Sequence, residues 1–113
     1  MDVLITGIAG FIGMTLAEKL LARGDRVVGI DNLNDYYSVQ LKQDRLARLT
    51  ALGGDKFRFI HVDFADMAAL DVTLKAEKFQ RIVHLGAQAG VRYSIENPHA
   101  YVQSNLVGHL NML

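Results

Sequence analysis

Thr6-Gly7-Ile8-Ala9-Gly10-Phe11-Ile12-Gly13 is the stretch that decides the fold of this 113-residue chain. Three glycines spaced three apart follow the short apolar run Val3-Leu4-Ile5, which suits a strand buried on both faces of a parallel sheet. After them, Ile12, Leu16, Leu20 and Leu21 recur at helical spacing, and Gly24 stands where a helix C-cap belongs. Arg26-Val27-Val28-Gly29-Ile30 is then a second buried strand. Strand, helix and strand within about thirty residues make a βαβ unit, whose crossover is right-handed. The glycines have separate duties at that first turn. Gly7 permits the tight bend, Gly10 lets backbone approach a ligand with no Cβ in the way, and Gly13 lets the helix pack closely on the strand. The free N–H groups and positive dipole end of the helix then face an anion, as at a pyrophosphate site.

The alternation continues outward from this unit. A polar, tyrosine-bearing loop runs from Asp31 to Ser38, and Val39, Leu41, Leu46, Leu49 and Leu52 mark a helix that stops at Gly53-Gly54. Phe57 to Val62 is expected to be a third strand. Asp66 is placed to cap a helix reaching about Glu77, and Arg81-Ile82-Val83-His84-Leu85 reads as a fourth strand. The small-residue loop Gly86-Ala87-Gln88-Ala89-Gly90 leads to Asn97-Pro98, an N-cap followed by proline at the first helical position. The expected class is α/β, a Rossmann-like doubly wound parallel sheet of about four strands with flanking helices. A single domain spans residues 1–113. The last helix is still helical in pattern at Leu106, Leu110 and Met112, with no glycine cap before Leu113, so the domain is expected to be truncated.

Composition narrows the function classes. Half of the residues are hydrophobic, and twelve basic residues balance twelve acidic ones, so no net field draws nucleic acid or an anionic membrane surface. The absence of cysteine removes disulfides and thiolate chemistry and fits a reducing cytoplasm. No apolar run approaches the roughly 20 residues of a membrane span, and the N-terminus lacks a signal peptide's basic start. His61, His84, His99 and His109 show no paired ligand spacing, so no metal site is expected.

The ligand is narrowed by Asp31, eighteen residues after Gly13 at the carboxyl end of the second strand. There a carboxylate can accept hydrogen bonds from both adenosine ribose hydroxyls while repelling a 2′-phosphate. Asn32, Leu33 and Asn34 follow it, with no arginine to accommodate that phosphate, so NAD is expected over NADP. Asp63, at the end of the third strand, is where adenine would lie; a turn or cap role before Asp66 is the competing reading. The loop Leu85 to Ala89 follows the strand beside the first, across the point where strand order reverses, and its backbone is expected to meet the cofactor's second half.

The glycine start, the loop Asp31-Asn32-Leu33-Asn34-Asp35-Tyr36-Tyr37 and the stretch Gln88-Ala89-Gly90-Val91-Arg92-Tyr93-Ser94-Ile95-Glu96-Asn97-Pro98 resemble the extended short-chain dehydrogenase/reductases. Within these, the likeness is closest to UDP-glucuronate 4-epimerases and covers the whole chain. The resemblance implies NAD contacts at Phe11 and Ile12, at Asp31, Asn32, Leu33, Asn34, Asp35 and Tyr36, at Asp63 and Phe64, at Leu85, Gly86, Ala87, Gln88 and Ala89, and at Ser104. It also implies a structural role for Asn105. The implied reaction oxidises C4 of a UDP-hexuronic acid transiently and reduces it again from the other face, with no net oxidation.

That chemistry needs a base, which the family takes from a Tyr-x-x-x-Lys pair with a nearby serine or threonine. Here the residues four beyond Tyr36, Tyr37, Tyr93 and Tyr101 are Gln40, Leu41, Asn97 and Asn105. No catalytic residue is therefore expected in this chain, which would bind NAD at most and be silent alone. Gly86 departs from the alanine usual in the family, a change expected to be mild because the position is read through its backbone and small size. Arg92 and Ser94 are candidates for contacting the substrate, with surface and turn roles as the alternatives. Leu106, Val107, Leu110 and Met112 are expected to be partly exposed and to favour a homo-oligomer. A nucleotide-sugar dehydratase or decarboxylase shares this half of the pattern, and a non-catalytic nucleotide-binding module remains the reading outside enzymes.

Overall fold

The computed structural model describes residues 1–34, 38–76 and 78–113. Asp35, Tyr36, Tyr37 and Glu77 lie outside the described residues, and with them the readings placed on these four.

Strand β1 (Asp2–Thr6) runs into helix α1 (Phe11–Ala22) and strand β2 (Arg26–Asp31), as the glycine pattern predicts. Helix α2 (Val39–Gly53), strand β3 (Phe57–His61), helix α3 (Met67–Ala76) and strand β4 (Arg81–His84) complete the alternation. The four strands form one parallel sheet in the order β3-β2-β1-β4. Strand order reverses between β1 and β4, which places the glycine turn at the topological switch point. The capping signals do what they predict: Asp66 accepts from the Ala69 N–H at 3.2 Å, and Asn97 accepts from that of Ala100 at 3.3 Å.

Alternate strand residues face opposite helical layers. Val3, Ile5 and Val27 pack with Ala17, Leu46, Leu49 and Phe57 under α1 and α2. Leu4, Val28 and Ile30 pack with Val62 and Leu70 on the other face. Both faces of β1 are thus covered, and Leu4 and Ile5 are fully buried. Burying such a side chain contributes about 1.5–3 kcal/mol.

The helices add three details. On α2, Leu41 and Leu52 face solvent at 45% and 58% exposure, and the inward stripe is Lys42, Leu46 and Leu49. The stretch before Asn97 is not all loop: Val91–Glu96 forms helix α4, which ends where Asn97 N–H donates to Tyr93 O at 2.8 Å. Finally, the terminal helix leaves its apolar set partly exposed, as expected. It comprises α5 (Pro98–Tyr101), a π-helical stretch (Val102–Val107) and α6 (Gly108–Met112). Leu106 and Leu110 are exposed, whereas Val107 is half-buried and Met112 packs against the Leu4 side of the core. Asn111 pins this helix to the loop after β3 by donating to Phe64 O at 3.0 Å and Ala65 O at 3.2 Å.

Candidate functional site

A cleft opens over the carboxyl ends of the strands. Among the described residues it is lined by Gly7 and Gly10 from the turn, Asp31, Asn32, Asn34 and Lys42 from the β2 side, Phe64 after β3, Leu85 to Ala89 after β4, and Ser104 from the terminal helix. Elements far apart in sequence meet here because parallel strands all end on one edge.

The glycine turn is built by close approach. Gly7 sits at φ +69°, a left-handed conformation that costs a residue with a Cβ. An ideal Cβ on Gly13 would stand 2.1 Å from Gly7 O, so only glycine lets α1 rest on the end of β1. Gly10 caps α1 with no side-chain hydrogen bond, leaving the first-turn N–H groups of the helix uncapped by any side chain. These donors and the helix dipole fit a bound anion. Gly13 therefore acts through packing and does not line the cleft. Phe11 and Ile12 project outward from the first turn, 70% and 66% exposed.

Asp31 is held at the end of β2 by two backbone donors. Ala9 N–H donates to its Oδ2 at 3.1 Å and Leu33 N–H to its Oδ1 at 2.8 Å, so the carboxylate locks the glycine turn to the following loop. Arg45 on α2 fastens the same turn by donating to Ala9 O at 3.0 Å. Each Asp31 oxygen keeps acceptor capacity for a ligand hydroxyl. Leu33 stands at φ +52° and packs toward the core. Asp63 is exposed and accepts from Ala65 N–H at 2.9 Å, in the turn geometry that competed with the adenine role.

The β4–α4 loop is clamped by the terminal helix. Asn105 Oδ1 accepts from Gln88 N–H at 2.9 Å and its Nδ2 donates to Gln88 O at 3.1 Å, while the Tyr101 hydroxyl donates to Ala89 O at 2.6 Å and also meets Gly90 O. Asn105 lies in the π-helical stretch, an irregularity often found at functional sites. Arg92, exposed, and Ser94, half-buried, both lie on α4 and are not among the described residues lining the cleft. Among the described residues no group of three or more histidine, aspartate or glutamate side chains could hold a metal ion.

Phe64 explains why residue 86 is glycine. An ideal Cβ on Gly86 would lie 2.5 Å from Phe64 Cε1, and one on Gly108 would lie 2.3 Å from Cε2, so the ring fills the space between two glycines. Gly86→Ala alone is thus expected to destabilise by about 1–3 kcal/mol, the range for overpacking. Phe64→Leu in the same chain is expected to recover most of that loss. Thermal denaturation of the two single variants and the double variant reads the coupling, and simple additivity would refute it.

The Gly86 N–H donates to Thr6 Oγ1 at 2.9 Å, and that hydroxyl lies 2.6 Å from His84 Nδ1. His84 meets the edge of Phe64 at 4.9 Å between ring centres and the tilted ring of His109 at 5.2 Å. Burial first, and the charge of His109 second, hold His84 below the ordinary imidazole value of 6.5. As pH falls through that value the unfolded chain binds the proton before the folded one does, so the contribution is intact above it and is lost below it. Thermal midpoints measured between pH 8 and 5 should decline below about 6.5, and His84→Gln should flatten that decline. An equal decline in the variant would show that His84 is not responsible.

Lys42 is the cleft residue that sequence reasoning missed. It is 7% exposed, and its Nζ donates to Asn34 O at 2.8 Å and Asn34 Oδ1 at 3.0 Å. Its spacing from Leu46 and Leu49 was the available signal, because four and seven residues apart share one helix face.

A parallel 3-2-1-4 sheet with a three-glycine turn beside an acid-tipped second strand defines the dinucleotide-binding class of doubly wound α/β domains. Within that class, the chain belongs to the GDP-mannose 4,6 dehydratase family, whose profile matches residues 4–113. It is 50% identical over 113 residues to Protein CapI of Staphylococcus aureus, covering all of this chain and 33% of that protein. With the UDP-glucuronate 4-epimerase of Thermodesulfobacterium geofontis it shares 46% identity over 110 residues, 97% of this chain and 33% of the relative. The crystal structure of UDP-glucuronic acid 4-epimerase from Bacillus cereus, in complex with UDP-glucuronic acid and NAD, superposes with a TM-score of 0.82 at 31% identity, covering 98% of this chain and 34% of that one. The chain spans about a third of the length of these relatives. The resemblance read from the loop motifs and these relatives point to the same group.

Proposed function

We propose that this chain binds NAD as the cofactor-holding part of a UDP-sugar 4-epimerase, with UDP-glucuronate as the substrate of the whole enzyme. The observation that carries the reading is Asp31, fixed by Ala9 and Leu33 beside the uncapped start of α1. Its carboxylate and the N–H groups of that helix end supply acceptors and donors in the order a ribose and a pyrophosphate require. NAD, when bound, would accept and return a hydride at the sugar's C4. The residues of this chain hold and orient it: the glycine turn admits the phosphates, Asp31 takes the ribose, and the loop clamped by Asn105 and Tyr101 borders the other half of the cleft. With no Tyr-x-x-x-Lys pair in its sequence, the chain is expected to leave UDP-glucuronate unchanged by itself.

Titration of the intrinsic tyrosine emission tests the reading. Quenching by NAD, with NADP much weaker, supports it; no response to either nucleotide would favour a non-catalytic module. The family's description supports a second reading, a nucleotide-sugar dehydratase sharing this cofactor half. A metabolic NAD requirement favours a cytoplasmic setting; no helix among the described residues is long and apolar enough to cross a membrane. The exposed Val102, Leu106 and Leu110, spaced four apart on the terminal helix, support self-association. Light scattering showing a monodisperse monomer would count against that partner.

A further inference from the structure

A second cavity, of about 260 Å³, opens at the opposite edge of the sheet, where the parallel strands begin. It is lined by Asp2 and Val3 of β1, Arg26 and Val28 of β2, and Lys78 and Phe79 of the segment before β4. Roughly one strand length, about 15 Å, lies between it and the cofactor cleft, and the two share no lining residue. Backbone bonds build its rim. Arg26 N–H donates to Met1 O at 2.9 Å, Gln80 N–H to Asp2 O at 2.8 Å, and Asp2 N–H to Gln80 Oε1 at 2.8 Å. Asp2 and Arg26 are register partners, and Val28 stands two residues beyond Arg26 on the same face of β2. Buried Val28 belongs to the core cluster against which half-buried Phe79 packs, so the cavity has an apolar floor beneath a charged mouth.

The charged groups at that mouth are underused. The Arg26 guanidinium has five N–H donors, and among the described residues its one ion pair is a long contact of 3.7 Å from Nη1 to Asp2 Oδ1. Lys78 is exposed and forms no hydrogen bond or ion pair among the described residues. The Asp2 carboxylate accepts no hydrogen bond among them beyond that contact. Two cations and one carboxylate leave the lining with a single surplus positive charge, which one carboxylate neutralises. A dianion such as phosphate exceeds that charge and faces repulsion from Asp2, whose oxygens only accept. A hydroxyl turns the same carboxylate into a partner by donating to it. We propose that this cavity is a second ligand site for a small hydroxy-carboxylic acid, whose carboxylate meets Arg26 and Lys78, whose hydroxyl donates to Asp2 and whose carbons lie on Val28 and Phe79. The site is independent of the NAD reading, since no residue of the cleft takes part.

The test is a titration of the purified chain, followed by the NMR shifts of its backbone amides at fixed ionic strength, with glycerate, with propionate and with inorganic phosphate. Glycerate is expected to give saturable shifts at Asp2, Arg26, Val28 and Phe79 while Gly7 and Gly10 in the cleft stay unmoved. Propionate, which keeps the carboxylate and lacks the hydroxyls, is expected to bind about fivefold more weakly, the worth of one ordinary hydrogen bond. Arg26→Gln and Lys78→Gln are each expected to weaken glycerate about threefold or more, the scale of a solvent-exposed charge contact. Lys56→Gln removes an exposed cation at the same edge but outside the cavity and is expected to change nothing. All three substituted residues are exposed, so the variants should fold, which circular dichroism checks. The proposal is overturned if glycerate produces no saturable shift at these residues, if propionate or phosphate binds as tightly as glycerate, or if Lys56→Gln weakens binding as much as the two cavity variants, which would show a diffuse positive field in place of a site.

Discussion

Gly13→Ala is expected to abolish NAD binding and to be among the most damaging single substitutions in this chain. The added Cβ would lie 2.1 Å from Gly7 O, 2.9 Å from Gly7 C and 3.1 Å from Ile8 Cα. All three are backbone atoms, so no rotamer change relieves the overlap. Either α1 lifts off the end of β1 or the turn unwinds. Lifting α1 opens the core beneath Ala17 and weakens the packing of Ile5, Ile8 and Val27. Unwinding moves Gly7, whose N–H donates to Ile30 O at 3.0 Å, and Ala9, whose N–H is held by Asp31. A cost of about 3–5 kcal/mol follows, the upper range for a single change that strains a buried backbone. Set against a domain stability of about 5–15 kcal/mol, that is a large fraction. Thermal denaturation should show the midpoint falling by more than about 10 °C, or no cooperative transition. An unchanged midpoint with intact NAD binding would mean that the turn does not need this close approach.

Asp31→Asn is expected to weaken NAD by about 100-fold while narrowing the preference for NAD over NADP. The asparagine keeps one acceptor oxygen where the aspartate has two, and both aspartate oxygens are already occupied by Ala9 and Leu33 N–H groups. Replacing that side chain therefore loosens the turn and removes an acceptor for the ribose at once. A hydrogen bond to a charged group is worth about 1.5–3 kcal/mol, which is about tenfold to more than a hundredfold in affinity. The shift in preference has a separate cause. With the negative charge gone, a 2′-phosphate no longer faces repulsion and meets the buried cation of Lys42, which lines the same wall. Parallel titrations of both nucleotides read the ratio. A ratio equal to that of the unaltered chain would detach Asp31 from the ribose.

Much of the fold was legible because its signals are local. The glycine triplet, the apolar runs of β1 and β2, the stop at Gly53-Gly54 and the caps Asp66 and Asn97 depend on neighbours within a few residues, and each lies where it was read. The inward face of α2 was not legible, because Leu41 and Lys42 are adjacent and hydropathy favours the leucine. The cleft reversed that order by giving the lysine head two acceptors on Asn34 and leaving its stem to pack. Helix α4 was missed for a related reason. Six residues from Val91 to Glu96 are too few to show an apolar period, and the helix is ended by a bond between Asn97 and Tyr93.

By itself, then, the sequence determined the class of fold, the order of its elements and the acid and glycines that suit a dinucleotide, since those follow from backbone conformation and strand ends. Only the tertiary structure decided which side chains share the cleft. Lys42, Phe64, Gly86 and Asn105 acquire their roles from residues 8 to 44 positions away: Asn34 for the lysine, Gly86 and Gly108 for the phenylalanine, Gln88 for the asparagine. Such pairings are set by how the helices pack on the sheet, a three-dimensional fit that no local pattern of hydropathy encodes.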